Sequence, residues 1–432
     1  MSQSVSSRSY RVLRYRDFRL LWCAEALSQA GSQIQRVAIA WQVYELTHDA
    51  FKLGLLGLFR FIPILIFGLI GGVIADRGDR RRTLIYTQSA LLLLALFLAV
   101  MSGTGHVTIW VIYLVTMIAA IFEGISNPTR QALMPLLVPR TELPAASTMG
   151  VLVSHVSQVV GPAAGGIIIA TLGVTGAYAI DALSFLAVIV AVLMMHQRPP
   201  AVAITMSGYQ AALEGLRFLK NTPTLFGVMM ADFLATLFGA CTVLMPIFAD
   251  EVLGVGPRGL GFLLAVPAAG AVTMAILLSV THLPDRAGLW VLGSIVAYGC
   301  FLVGFGISTT LWVSLVFLAF SGAADSISMA LRHAARTLLT PDDLRGRVAS
   351  VHRALGMGGP QLGEFQKGIT ASLIGAGPAV AIGGIATVGV AAVIAYLFPT
   401  VARYRMSVSE ANPPAEPGDR SPESGARSGA EA

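Results

Sequence analysis

Charge is what this sequence lacks. Of its 432 residues only 12% are Asp, Glu, Lys or Arg, whereas 55% are hydrophobic and the mean hydropathy is +0.73. Soluble domains carry about 25% charged residues, so a membrane protein is the class this composition allows. Lysine is the scarcest basic residue, with only Lys52, Lys220 and Lys367. The three cysteines, Cys23, Cys241 and Cys300, fall inside apolar stretches without paired spacing, which argues against a disulfide framework or a cysteine metal site. No phosphate-binding Walker loop, zinc-ligand pair or nucleophile–base arrangement stands out, so neither an ATP-driven pump nor an enzyme is expected. No metal is expected either. Nor does a short apolar segment with a cleavage site precede the first long apolar run, so no cleaved signal peptide is expected.

Long apolar runs are what is there. A membrane-crossing helix needs about 20 such residues. Twelve candidate spans follow: 18–45, 51–75, 83–102, 107–126, 143–171, 177–196, 224–249, 258–281, 288–307, 310–331, 348–374 and 378–398. The net charge of +6 could point to nucleic acid, but its distribution points to topology instead. Of 29 Lys and Arg, 24 lie in or beside the tails and the loops after even-numbered spans. Positive charge marks the cytoplasmic side, so both termini are expected there. No nucleic-acid partner is expected.

The halves repeat. Arg130, Leu136, Leu137 and Pro139 recur 202 residues later as Arg332, Leu338, Leu339 and Pro341. Gly161-Pro162-Ala-Ala-Gly165-Gly166 likewise matches Gly359-Pro360-Gln-Leu-Gly363-Glu364. The expected fold is an all-α membrane protein of twelve transmembrane helices in two pseudo-repeated six-helix halves. Its parts are a basic leader (1–17), an N-terminal bundle (18–196), a linker (197–223), a C-terminal bundle (224–398) and a largely disordered tail (399–432). Within the linker, Tyr209–Lys220 has helical period and reads as an amphipathic helix on the cytoplasmic face.

Between the second and third spans lies Gly71-Gly72-Val73-Ile74-Ala75-Asp76-Arg77-Gly78-Asp79-Arg80-Arg81-Arg82. It resembles the loop 2–3 signature of the major facilitator superfamily, with Gly72, Asp76, Arg77, Arg80 and Arg81 on the pattern. Gly150, Gly161, Pro162, Gly165 and Gly166 resemble that superfamily's antiporter signature, which implies tight helix packing and tilts direction toward efflux. Tyr15–Trp22, Ala75–Arg77, Pro341–Val348 and Gly359–Glu364 are similar to the subgroup containing enterobactin exporters and multidrug efflux proteins. The resemblance implies a conformational latch of the outward-open state, in which Asp76 meets the start of span eleven near Arg347 and Arg80 pairs with Glu123 on span four. Asp79 departs from the signature, because many members have Gly there.

Ionisable residues inside a membrane usually face an interior or a water-filled cavity. Glu25, Gln29, Ser32, Gln33 and Arg36 recur at spacings of three to four and share one face of the first span. Arg60 lies deep in the second span and should pair with a carboxylate, Asp232 and Glu364 being best placed. Lys367 follows Glu364 on the same helical face, so the two could also neutralise each other. Glu364, Asp232 and Glu25, in that order, are the candidate proton carriers.

The expected function is export of a small organic molecule, drug-like or a siderophore, by alternating access in exchange for protons. It needs no cofactor beyond a proton gradient. The chain would act as a monomer in the bacterial inner membrane. An uptake transporter or uncoupled facilitator of the same fold is the alternative. A non-transporting sensor or scaffold would need a folded soluble domain that neither the linker nor the tail resembles.

Overall fold

The structure, a computed structural model, describes residues 10–77, 79–196, 208–281, 284–341 and 344–406. The described residues form helices and connecting turns, with no strand among them. The principal helices are α1 (Arg16–Thr47), α2 (Ala50–Arg77), α3 (Arg80–Gly103), α4 (Ile109–Leu133), α5 (Leu143–Met194) and α6 (Gly208–Lys220). They continue with α7 (Pro223–Gly239), α8 (Gly256–Val280), α9 (Ala287–Ile307), α10 (Leu311–Leu339), α11 (Arg345–Ile374) and α12 (Ala376–Leu397). Among the described residues, eight helical stretches are long and apolar enough to cross a membrane. The outside of the molecule is apolar too: Leu373, Val280 and Trp312 are 79%, 77% and 75% exposed. Such a surface is stable only against lipid.

Element α5 is two helices in one. Gly173 has φ +70° and ψ −179°, a conformation that a residue without Cβ adopts at little cost. Before the break, contacts with α1 advance together: Ser157 with Ala26, Gly161 with Gln33, Gly165 with Val37. After it they run in reverse: Tyr178 with Gln42, Ser184 with Gly31, His196 with Asp17. The arms 143–172 and 174–194 are therefore antiparallel.

Two predicted loops are helix. Apolar length ends spans four and ten near residues 126 and 331, but α4 continues through Pro128 to Leu133, and α10 continues to Leu339. The repeated arginines, Arg130 and Arg332, thus sit on helices. The linker helix forms as α6, but it docks on α11. Glu214 pairs with Arg347 at 2.5 Å, and Leu219 is buried against Leu225 and Val348. Residues 1–9, 197–207 and 407–432 of the leader, linker and tail lie outside the described residues.

Among the described residues, the buried apolar core is shared between the two halves at one end. The largest buried apolar cluster takes residues from both, including Val43, Tyr44, Leu53, Leu244, Phe248 and Ala371. At the end that carries the N- and C-terminal segments the clusters separate. One holds Phe18, Leu84 and Val192 of the first half, and another holds Val228, Val291 and Ile394 of the second. The joined end depends on close backbone approach where α2 crosses α11 and where the first arm of α5 crosses α8. A Cβ on Gly54 would lie 2.7 Å from the Gly368 Cα, and one on Gly166 would lie 2.5 Å from the Pro257 carbonyl oxygen.

Candidate functional site

Between the halves lies a cavity of two lobes. The inner lobe, of about 460 Å³, lies toward the joined end and is lined by both halves. The outer lobe, of about 1230 Å³, lies toward the terminal end, among Glu25, Pro135, Ser147 and Gly356. The lobes share Gln33, Arg36, Glu123, Gln158 and Thr242. Beyond the inner lobe, the Tyr44 hydroxyl donates to Asp250 Oδ2 at 2.7 Å and lies 3.2 Å from Glu251 Oε1. This ties α1 to the residues after α7 across the joined end. Sequence reasoning missed that contact: it joins residues about 200 apart, and neither side carries a local motif.

The polar face of α1 lines this space. Glu25, Gln29 and Ser32 line the outer lobe, and Gln33 and Arg36 stand where the lobes meet. The faces are stitched by hydrogen bonds. Gln29 Nε2 donates to Glu25 Oε1 at 2.7 Å, and the Ser154 hydroxyl to Gln29 Oε1 at 3.1 Å.

Among the described residues, four acids in the bundle meet an arginine. Glu25 of α1 pairs with Arg130 of α4 at 2.6 Å, both largely buried. In the second half Asp232 of α7 pairs with Arg332 of α10 at 2.9 Å, and Asp325 meets the same arginine at 3.5 Å. Uncompensated charge in this setting costs several kcal/mol, so these acids need their partners.

Arg60 pairs with Glu123 at 3.4 Å rather than with Asp232 or Glu364. Arg80 therefore does not meet Glu123 as expected, and its Nη1 instead lies 3.4 Å from the Ala132 carbonyl oxygen. The reason is the length of α4. Glu123 lies ten residues before the end of the helix, about 15 Å deeper at 1.5 Å per residue. Glu364 lines the inner lobe. Lys367 does not neutralise it: that side chain is buried and reaches into the space that Gly383 leaves on α12.

In the charged turn, the side chains of Gly72, Asp76 and Arg77 lie outside the described residues, as does Gly78. Asp79 caps α3, its carboxylate accepting from the backbone N–H of Arg81 at 3.0 Å and of Arg82 at 3.4 Å. Arg81 donates to the Leu193 carbonyl at 2.8 Å, tying this turn to the end of α5. Of the glycine motif, Gly161 and Gly165 pack on α1 and Gly166 on α8, with Pro162 at the inner lobe. Gly150 packs on nothing: a Cβ there would have no neighbour within 4 Å, and the residue lines the outer lobe.

Paired bundles around one central cavity define a fold, and comparison with known proteins gives it a family. Residues 7–420 match the model of the transmembrane secretion effectors. The chain belongs to this family of the major facilitator superfamily. The enterobactin exporter EntS of Shigella boydii serotype 18 is 25% identical over 350 residues, covering 80% of this chain and 83% of that protein. The same figures hold for EntS of Escherichia coli O139:H28. Among solved structures, an inward-facing, unoccupied bacterial homologue of the human lysosomal transporter Spinster superposes with a TM-score of 0.71. It is 16% identical and covers 91% of this chain and 99% of that one. A bacterial homologue of the iron transporter ferroportin, also inward-facing, gives a TM-score of 0.68 at 14% identity, with coverage of 90% and 98%. The curated relatives and the fold are those of transporters and not of enzymes.

Proposed function

We propose that this secretion-effector family member is a twelve-span exporter of a small organic molecule, working by alternating access in exchange for protons. The observation that carries the reading is one cavity lined by both halves, sealed at the joined end and broad toward the other. The span count rests on the eight apolar stretches, one more for the second arm of α5, and α1, α2 and α11, which are of matching length. The clustering of Lys and Arg beside the termini supports a cytoplasmic position for that end in a bacterial cell. The described state is then inward-facing and ready to load. One chain encloses the whole cavity, which supports action as a monomer. The curated relatives are named as enterobactin exporters, which supports a siderophore or a molecule of drug-like size as cargo.

Coupling falls to Glu364. Glu25 and Asp232 are held by arginines, whereas Glu364 faces the cavity and has no cation within 4 Å among the described residues. A carboxylate exposed to each side in turn exchanges its proton with each side in turn. The loop residues Asp76, Arg77, Arg80 and Arg81 act as the latch between states, remote from the cargo.

The test is accumulation in everted membrane vesicles energised to an acid interior, with enterobactin and rhodamine 6G as probes. A proton-coupled exporter concentrates at least one of them inside, and a protonophore abolishes that. Accumulation indifferent to the protonophore points to a facilitator, and gradient-driven loss from preloaded vesicles to an uptake system.

A further inference from the structure

Charge accounting narrows the cargo. Within the bundles, Glu25 is neutralised by Arg130 and Glu123 by Arg60, while Asp232 and Asp325 share the single positive charge of Arg332. Asp181 and Lys367 are buried and line neither lobe. Two charges then remain that reach the inner lobe without an ion pair among the described residues: Arg36 and Glu364. Arg36 is open to the cavity, and among the described residues its Nε alone is engaged, donating to the Ser32 carbonyl at 3.3 Å. They stand on opposite halves, one on α1 and the other on α11.

We infer that the inner lobe takes an amphipathic zwitterion, its anionic group on Arg36 and its cationic group on Glu364, so that the cargo bridges the two halves. This rests on the export reading and specifies its substrate class. Each unpaired charge is costly in a low-dielectric cavity and gains most from an opposite charge brought in by a ligand. The remaining walls fit an organic body. Val37, Leu56, Leu263 and Leu302 are apolar. A volume of about 460 Å³ is that of a drug-sized pocket. An exchanging proton on Glu364 displaces the cationic group, so cargo release and proton uptake share one side chain.

The test uses the full chain in nanodiscs and three probes of similar size. Rhodamine B is a zwitterion, its ethyl ester is a cation with the same skeleton, and fluorescein is an anion. Binding is read by fluorescence anisotropy. Rhodamine B is expected to bind about tenfold tighter than its ester, a difference of about 1.4 kcal/mol. Arg36→Gln should erase that preference, and Arg36→Lys should restore it. Glu364→Gln should weaken both rhodamines and spare fluorescein. Equal binding of rhodamine B and its ester overturns the inference, as does a preference that survives Arg36→Gln. Failure of monodisperse protein to bind either rhodamine overturns it too. Selective binding without gradient-driven accumulation in vesicles overturns the export reading instead and leaves the ligand class standing.

Discussion

In the first half the acid of α4, Glu123, faces the cavity and meets Arg60 of α2; in the second, the acid at the matching place on α10 meets its own helix. That acid is Asp325, 202 residues later, and its partner is Arg332. The register is fixed along both helices, since Trp110 and Trp312 stand at their starts and Arg130 and Arg332 near their ends with the same offset. The difference arises from α8, which carries no charge beyond Arg258 near its start and so has no counterpart of Arg60. Asp325 then shares the arginine that already holds Asp232. The repeat has thus kept one tie in each half, between its first and fourth helices, and left the rest free to diverge. What diverged is the cavity wall, with Arg36 and the Arg60–Glu123 pair on one side and Glu364 on the other.

The shared ties are where the comparison breaks most visibly. Removing one partner of a buried ion pair costs about 3–5 kcal/mol. Arg332→Ala strands two acids and Arg130→Ala only one, so the second-half variant should lower the thermal midpoint in detergent further. Equal losses would show that Asp325, the more exposed acid, needs no partner.

The seal between the halves comes next. Gly166→Ala places a Cβ against the Pro257 carbonyl, and overpacking of this kind costs about 1–3 kcal/mol. Gly150→Ala, sixteen residues earlier in the same motif, meets open space and should cost little. A cysteine introduced at the joined end should label faster with a membrane-impermeant thiol reagent in the first variant alone. Glu364→Gln should slow gradient-driven transport at least tenfold, about 1.4 kcal/mol in activation free energy. Glu123→Gln should slow it less, because Glu123 already has an arginine. Smallest is the helix cap. Asp79→Ala removes the capping carboxylate of α3 and should cost about 1 kcal/mol in chemical unfolding. The matching position before α9 is Arg286, which makes no side-chain cap, and Arg286→Ala should leave stability unchanged.

Legibility followed the range of the interaction. The polar face of α1 could be read because helical period places Glu25, Gln29, Gln33 and Arg36 on one side, whatever surrounds them. The crossing glycines could be noticed, but their neighbours could not. Gly150 and Gly166 belong to one motif, yet one lies open to the cavity and the other touches α8. The partner of Arg60 was misjudged for a local reason. A span ending at residue 126 leaves Glu123 near its end, whereas α4 runs on to Leu133 and carries Glu123 inward.

The sequence by itself determined the solvent and the architecture. Apolar length, positive-charge asymmetry and a repeat at a fixed offset are properties of the chain alone, and a bilayer leaves few other ways to satisfy so apolar a backbone. Only the tertiary structure decided which charges are consumed. Arg130 finds Glu25, Arg332 finds Asp232, and Arg60 finds Glu123 across distances that no sequence spacing encodes, because ion pairs form between helix faces. What those pairs leave over, Arg36 and Glu364 in a cavity between two halves, is where the chemistry of recognition remains.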